Sequence, residues 1–181
     1  MKLLITGHTS AVGKDITEVY NDYIGVSRIT GFDLTNQADI QRVVKLSTEV
    51  DHVINLANVG KAQCDLLWEI YHSWQHIGKY DKIISFGTLA TEVSYDLLQK
   101  IPVDMSMLGH KLALEKMHKE LSVNIPFGKQ PQSVLLRFAN YGEKPGKRSN
   151  EPYTSSKQLI EVLDFIFKND SYISTIDFRE I

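Results

Sequence analysis

Short apolar runs alternate with segments of helical period along the chain. Seven runs read as strands: Lys2–Thr6, Tyr23–Ser27, Gly31–Leu34, His52–Ala57, Lys82–Phe86, Ser133–Phe138 and Ser174–Phe178. Most are continuous rather than alternating, as expected of strands covered on both faces. Five helix candidates lie between them: Val12–Tyr20, Gln37–Glu49, Lys61–Ile77, Met105–Leu121 and Ser155–Lys168. Asn36 can cap the second, and Thr154 or Ser155 the last. The order predicts an α/β fold, a Rossmann-like doubly wound parallel sheet of about seven strands with helices on both faces. No helix fits between Tyr23–Ser27 and Gly31–Leu34, so one crossover helix is missing after strand 2 and a tight loop replaces it. The chain has no internal repeat, and its turn-rich stretch "GEKPGKRSNEPY", 142–153, reads as a surface loop beside the site.

The length of 181 residues suits a single domain, 1–181, with a proper core. Hydrophobic residues make up 43% and charged residues 23%, the balance of a folded rather than a disordered chain. A net charge of −2 without a long basic run argues against a nucleic-acid partner. No apolar run approaches the roughly 20 residues of a membrane span, and the opening "KLLITG" is too short for a signal-peptide core. Cys64 stands alone, so it forms no internal disulfide and no cysteine-based metal site. Its plainest reading is a small buried residue on a helix. These features together lead to an expected cytoplasmic location. In "DLLWEIYHSWQHI", Leu67, Ile70, Tyr71 and Trp74 have helical spacing and face a core, while Trp68 opens a second apolar side suited to a subunit contact.

The first chemical signal is "KLLITGHTSAVGKDI", a strand, a glycine-containing turn and a helix start. Gly7 and Gly13 permit a sharp turn and close helix–strand packing. The N–H groups of Ser10 to Gly13 would face a pyrophosphate at the positive end of the helix. The middle glycine of a dinucleotide fingerprint is absent, with Ser10 or Ala11 in its place. A strand–turn–helix that binds nothing is the alternative reading of this stretch.

Further motifs extend the signal. "TGHTSAVG", "FDLTN", "INLAN", "IISFGT" and "LLRFANYGEKPG" occur in this order and spacing. Together they resemble the short-chain dehydrogenase/reductase family over nearly the whole chain. The turn is similar to the family's Thr-Gly-x-x-x-Gly-x-Gly or Thr-Gly-x-x-Gly-x-x-Gly turn. The missing helix after strand 2 resembles the compact branch similar to dTDP-4-dehydrorhamnose reductases and NAD-dependent epimerases. The resemblance implies a nicotinamide dinucleotide cofactor. It implies phosphate contacts from Gly7, Thr9, Ser10, Ala11, Val12 and Gly13. It also places Asp33 and Leu34 near the adenine, and Asn55, Ala57 and Asn58 along the cofactor. Family members often dimerise through their fourth and fifth helices, which implies a homodimer.

The second strand ends "VSR". An acid there would accept from a ribose 2′-OH, whereas an arginine suits a 2′-phosphate. Arg28 therefore points to NADP(H) over NAD(H), unless it is simply a solvated surface charge; Asp33 comes too late to be the ribose carboxylate.

In the family, a tyrosine exchanges the proton with the substrate oxygen. A lysine four residues on lowers its pKa and holds the nicotinamide ribose, and a serine or threonine bonds the substrate carbonyl. By the resemblance, Lys111 is that lysine and Thr88 the hydroxyl, with Ser85 the second choice. Met107 occupies the tyrosine position, and a thioether has no proton to give. "YTSSK", Tyr153 to Lys157, is a complete Tyr-x-x-x-Lys one strand too late, so it is an alternative pair only in a shifted register. Tyr141 and Tyr153 both fall on the loop beside the site. His110 lies about 100° round the helix from Lys111 and reads as a surface or interface histidine. Two readings of function follow. One is an NAD(P)(H)-dependent oxidoreductase acting on a small carbonyl or hydroxyl compound with an atypical active site. The other is a cofactor-binding sensor or structural homologue without turnover.

Overall fold

The computed structural model describes residues 1–92, 104–123, 130–138, 141 and 154–178. Among them are six strands: β1 Leu3–Thr6, β2 Tyr23–Val26, β3 His52–Asn55, β4 Lys82–Thr88, β5 Gln132–Phe138 and β6 Thr175–Phe178. Five α-helices connect them: α1 Ala11–Val19, α2 Gln37–Ser47, α3 Ala62–Ile77, α4 Met105–Val123 and α5 Ser156–Lys168. The strands form one sheet in the order β2-β1-β3-β4-β5-β6, and every pair is parallel. The order reverses direction between β1 and β3, which opens a crevice at the carboxyl ends of the strands.

Alternation along the strands sorts the core into two layers. Leu4, Val53, Ile83 and Leu135 pack against α2, α3 and α4, among Val43, Leu67, Ile70 and Trp74. Leu3, Ile5, Ile54, Ile84, Val134 and Leu136 pack against α1 and α5, among Ile16, Leu159, Leu163 and Ile166. Each fully buried Leu or Ile contributes roughly 1.5–3 kcal/mol, so both layers contribute to holding the sheet between its helices. Trp74 is fully buried and spends its indole N–H on Ser47 Oγ at 3.0 Å. Asn36 caps α2 by accepting from Ala38 N. Ser155 rather than Thr154 caps α5, in a reciprocal box with Gln158.

The expected strand Gly31–Leu34 is not a strand. Arg28–Thr30 form a single 3₁₀ turn, closed by Gly31 in the left-handed region at φ 82°. The Asp33 N–H donates to the Asp39 carboxylate at 2.9 Å, and Asp33 Oδ1 accepts from both the N–H and the hydroxyl of Thr35. Local side-chain chemistry has taken the backbone groups that a sheet ladder would need. With no strand there, no crossover is missing: β2 runs through this turn into α2, and α2 leads across to β3.

Candidate functional site

A cleft of about 890 Å³ runs along the carboxyl ends of β1, β2, β3, β4 and β5. Its floor begins at the turn after β1. Gly7 has φ 71°, and a Cβ on it would sit 3.1 Å from the backbone of Ala57, so a glycine lets the two loops touch. Ser10 caps α1 by accepting from Gly13 N at 3.1 Å, and its own N–H donates to Gly7 O. The N–H groups of Ala11 and Val12 are left without a partner among the described residues. They stand at the positive end of the helix, a ready place for a phosphate.

Thr6 ties this turn to the next strand. Its hydroxyl accepts from both Leu56 N and Ala57 N at 3.0 Å. Asn55 is fully buried and donates to Gln63 O at 2.8 Å, which fixes the β3–α3 connection. Asn55 thus supports the crevice from behind, whereas Ala57 and Asn58 line it.

Of the expected cofactor residues, Gly7, Thr9, Ser10, Val12, Arg28, Asp33, Leu34, Ala57, Asn58 and Lys111 line the cleft together. Ala11, Gly13 and Asn55 do not; Gly13 is buried behind the turn, packed on Gly7 and His8. Thr88 also lies off the lining, where its Oγ1 accepts from Ala90 N and caps the turn after β4. Ser85, the other hydroxyl candidate, is fully buried, 3.5 Å from Asn55 Nδ2. Met107 sits half-buried in the first turn of α4 and does not reach the lining either. Lys157 is exposed and pairs with Glu161 at 3.8 Å, away from the cleft; Tyr153, its companion in "YTSSK", lies outside the described residues. The Tyr141 hydroxyl donates to Asp15 of α1, and His110 packs near Gly60.

Lys111 is the one lysine among the described residues lining the cleft. It is 7% exposed, and its Nζ donates to Gln63 Oε1 at 2.7 Å and to Phe86 O at 2.6 Å. Burial pushes its pKa down to about 8, with the nearby Cys64 a smaller opposing influence. Gln63 escaped the sequence reading, since one glutamine in the first turn of a helix looks like a surface residue. Its signal is the apolar company of Ala62, Cys64, Leu66 and Leu67. Arg137 also escaped it. From β5 it holds Asp177 of β6 in a two-pronged pair at 2.8 and 2.7 Å, and it lies 2.7 Å from Glu92 and 3.5 Å from Glu115. The Asp177 carboxylate is the largest influence raising the arginine's pKa.

No family profile and no curated protein matches the chain. Solved structures do. A short-chain dehydrogenase from Leptospira borgpetersenii with bound NAD+ superposes with a TM-score of 0.73 at 14% identity, covering 98% of this chain and 89% of that one. A gluconate 5-dehydrogenase from Burkholderia cenocepacia in complex with NADP and tartrate gives 0.70 at 11%, covering 98% and 92%. The UDP-N-acetylglucosamine 4-epimerase from Bacillus cereus gives 0.68 at 17%, covering 98% and 78%. The chain has the short-chain dehydrogenase fold. In that fold the cleft described above is the crevice at the reversal of strand order, where open α/β sheets take their ligands. Among the described residues no helix is long and apolar enough to cross a membrane.

Proposed function

We propose that the chain is a short-chain dehydrogenase/reductase-like protein, with residues 1–181 forming one nucleotide-binding domain. It binds a nicotinamide dinucleotide along the cleft, NADP(H) in preference to NAD(H), and acts as an oxidoreductase on a small carbonyl or hydroxyl compound through an atypical site. The observation that carries this reading is the meeting of a phosphate turn, Arg28 and Lys111 in one cavity. The cavity volume lies at the upper end of the range for small-molecule sites. Solved structures of the same fold hold NAD+ and NADP.

The residues fit the group. The unpartnered N–H groups at the start of α1 would hold the pyrophosphate, and Lys111 the nicotinamide ribose. Arg28, which lines the cleft, would hold a 2′-phosphate. When bound, the cofactor supplies hydride transfer. Thr6, Asn55 and Gln63 keep the loops beneath it rigid.

A second reading, binding without turnover, draws on two observations. Met107 has no proton to donate, and Thr88 lies off the cleft lining, its Oγ1 accepting from Ala90 N in the turn after β4. Titrating NADPH and NADH, then assaying NADPH oxidation with aldehydes and quinones, separates the readings. Absence of dinucleotide binding would sink both. The same proposal includes a cytoplasmic homodimer, its contact on the exposed Trp68 of α3 and Leu112 of α4.

A further inference from the structure

The amine of Lys111 meets two acceptors, and both are neutral. Among the described residues no carboxylate shifts its charge state; Cys64 is the one neighbour that acts on it beside burial. Gln63 cannot turn its amide round to offer something else. It is 3% exposed, and its Nε2 is committed to Asn55 O at 2.7 Å and Phe86 O at 3.3 Å, which leaves Oε1 facing Nζ. An uncharged amine has two N–H bonds, and these two acceptors match them. The third substituent position of the nitrogen then carries the lone pair. Lys111 lines the cleft together with Phe86 and Gly87, which sets a cleft-bound small molecule against this side chain.

We infer that Lys111 is a covalent capture site for aldehydes: in the dinucleotide-free cleft its ε-amine condenses with an aldehyde to form an imine. The nitrogen lone pair makes the C–N bond while the carbonyl π pair moves to oxygen. That oxygen takes one proton from nitrogen to give a carbinolamine. It then leaves as water with the second N–H proton, and the C=N bond forms. Amine and aldehyde give imine and water, with no oxidant or reductant. Burial favours the step. With a pKa of about 8, roughly a tenth of the lysine is free amine at pH 7, against well under a thousandth for an ordinary lysine. Gln63 is the positioning residue: its Oε1 holds the nitrogen at 2.7 Å and, being neutral, favours the ammonium less than a carboxylate would. The inference needs the cleft but not the dinucleotide reading of it.

Reductive trapping tests it. The full chain is incubated with propanal and cyanoborohydride at pH 7, and alkylation is followed lysine by lysine through peptide mass. Lys111 is expected to be alkylated about tenfold or more faster than Lys61 and Lys157, whose side chains are 83% and 85% exposed. The wild-type rate of acetylation at Lys111 by acetic anhydride, which reads the free amine directly, should level off above pH 8 while the surface lysines continue to rise toward pH 10. Gln63→Glu sets a carboxylate against Nζ and should slow Lys111 about tenfold without touching Lys61 or Lys157. A Lys111 rate no greater than that of Lys61, or one that climbs with the surface lysines to pH 10, overturns the inference even if Gln63→Glu does not fold. Dinucleotide titration reports separately. Selective labelling without NADPH binding keeps this inference and removes the dinucleotide reading.

Discussion

A Cβ placed on Gly13 would lie 2.5 Å from the carbonyl oxygen of Gly7 and 2.6 Å from the backbone of His8. Both neighbours are main chain, so neither can swing aside. Helix α1 is thereby pressed onto the turn that ends β1. Gly13→Ala is expected to cost about 1–3 kcal/mol of stability, as overpacking does, and Gly13→Val more. Any folded fraction should lose NADPH affinity, because the turn and its N–H groups must move apart. Urea unfolding and NADPH titration of Gly13→Ala check this; wild-type values in both would show that the turn has slack.

Arg28 lines the cleft, and the NADP(H) preference proposed above rests on it. Charge-assisted hydrogen bonds to a phosphate contribute roughly 1.5–3 kcal/mol. Arg28→Ala should therefore weaken NADPH binding by about tenfold to a hundredfold and leave NADH nearly unchanged. Calorimetric titration of both cofactors against both proteins gives the answer. Equal losses for the two would remove Arg28 from the 2′-phosphate.

His118 of α4 is fully buried, with Nδ1 2.8 Å from Ser133 Oγ and Nε2 3.2 Å from Ser174 Oγ. Burial drives its pKa down to about 4. In the unfolded chain a histidine takes its proton near pH 6.5, whereas the folded chain resists until about 4. Stability should therefore be full above pH 6.5 and fall as the pH drops toward 4, by on the order of 3 kcal/mol. Urea midpoints between pH 7.5 and 4.5 should show this slope, and His118→Gln should flatten it. An equal slope in the variant would assign the loss to other groups.

Met107 stands one helical turn before Lys111, so the two share a face of α4. A tyrosine there would bring a phenol toward a cationic amine, which lowers the phenol's pKa. Met107→Tyr should raise NADPH oxidation with a small quinone or aldehyde by about 10²–10⁴-fold, the usual worth of a general acid. A steady-state assay suffices. No gain in a folded, NADPH-binding variant would mean that the phenol does not reach the reacting oxygen.

Most of the architecture was legible because it is written in local pattern. Buried parallel strands are apolar throughout, and the helix limits fell within two residues of Ala11–Val19, Gln37–Ser47, Ala62–Ile77, Met105–Val123 and Ser156–Lys168. Gly31–Leu34 misled because Phe32 and Leu34 look like strand residues, whereas the backbone follows the carboxylates of Asp33 and Asp39. The glycine turn, Arg28, Ala57, Asn58 and Lys111 could be found from spacing and charge, and they line one cleft. Gln63 could not, because its importance is the buried lysine it faces from another helix. The grouping of Arg137 with Glu115 and Asp177 is likewise a product of tertiary contact, which no one-dimensional pattern records.

The turn that replaced the expected strand leaves β2 as the outermost strand of the sheet. The Val26 carbonyl points inward to Gly7 N, so Gly25 O and Ser27 N point outward. The Thr30 hydroxyl takes both, donating to Gly25 O at 3.0 Å and accepting from Ser27 N at 2.9 Å. One side chain thus occupies two of the outward-facing groups of this edge, where another chain's strand would otherwise pair. Thr30→Val, with the same shape and no hydroxyl, is expected to leave those two groups open to a strand from a second copy, so that the protein's tendency to self-associate rests on a single threonine.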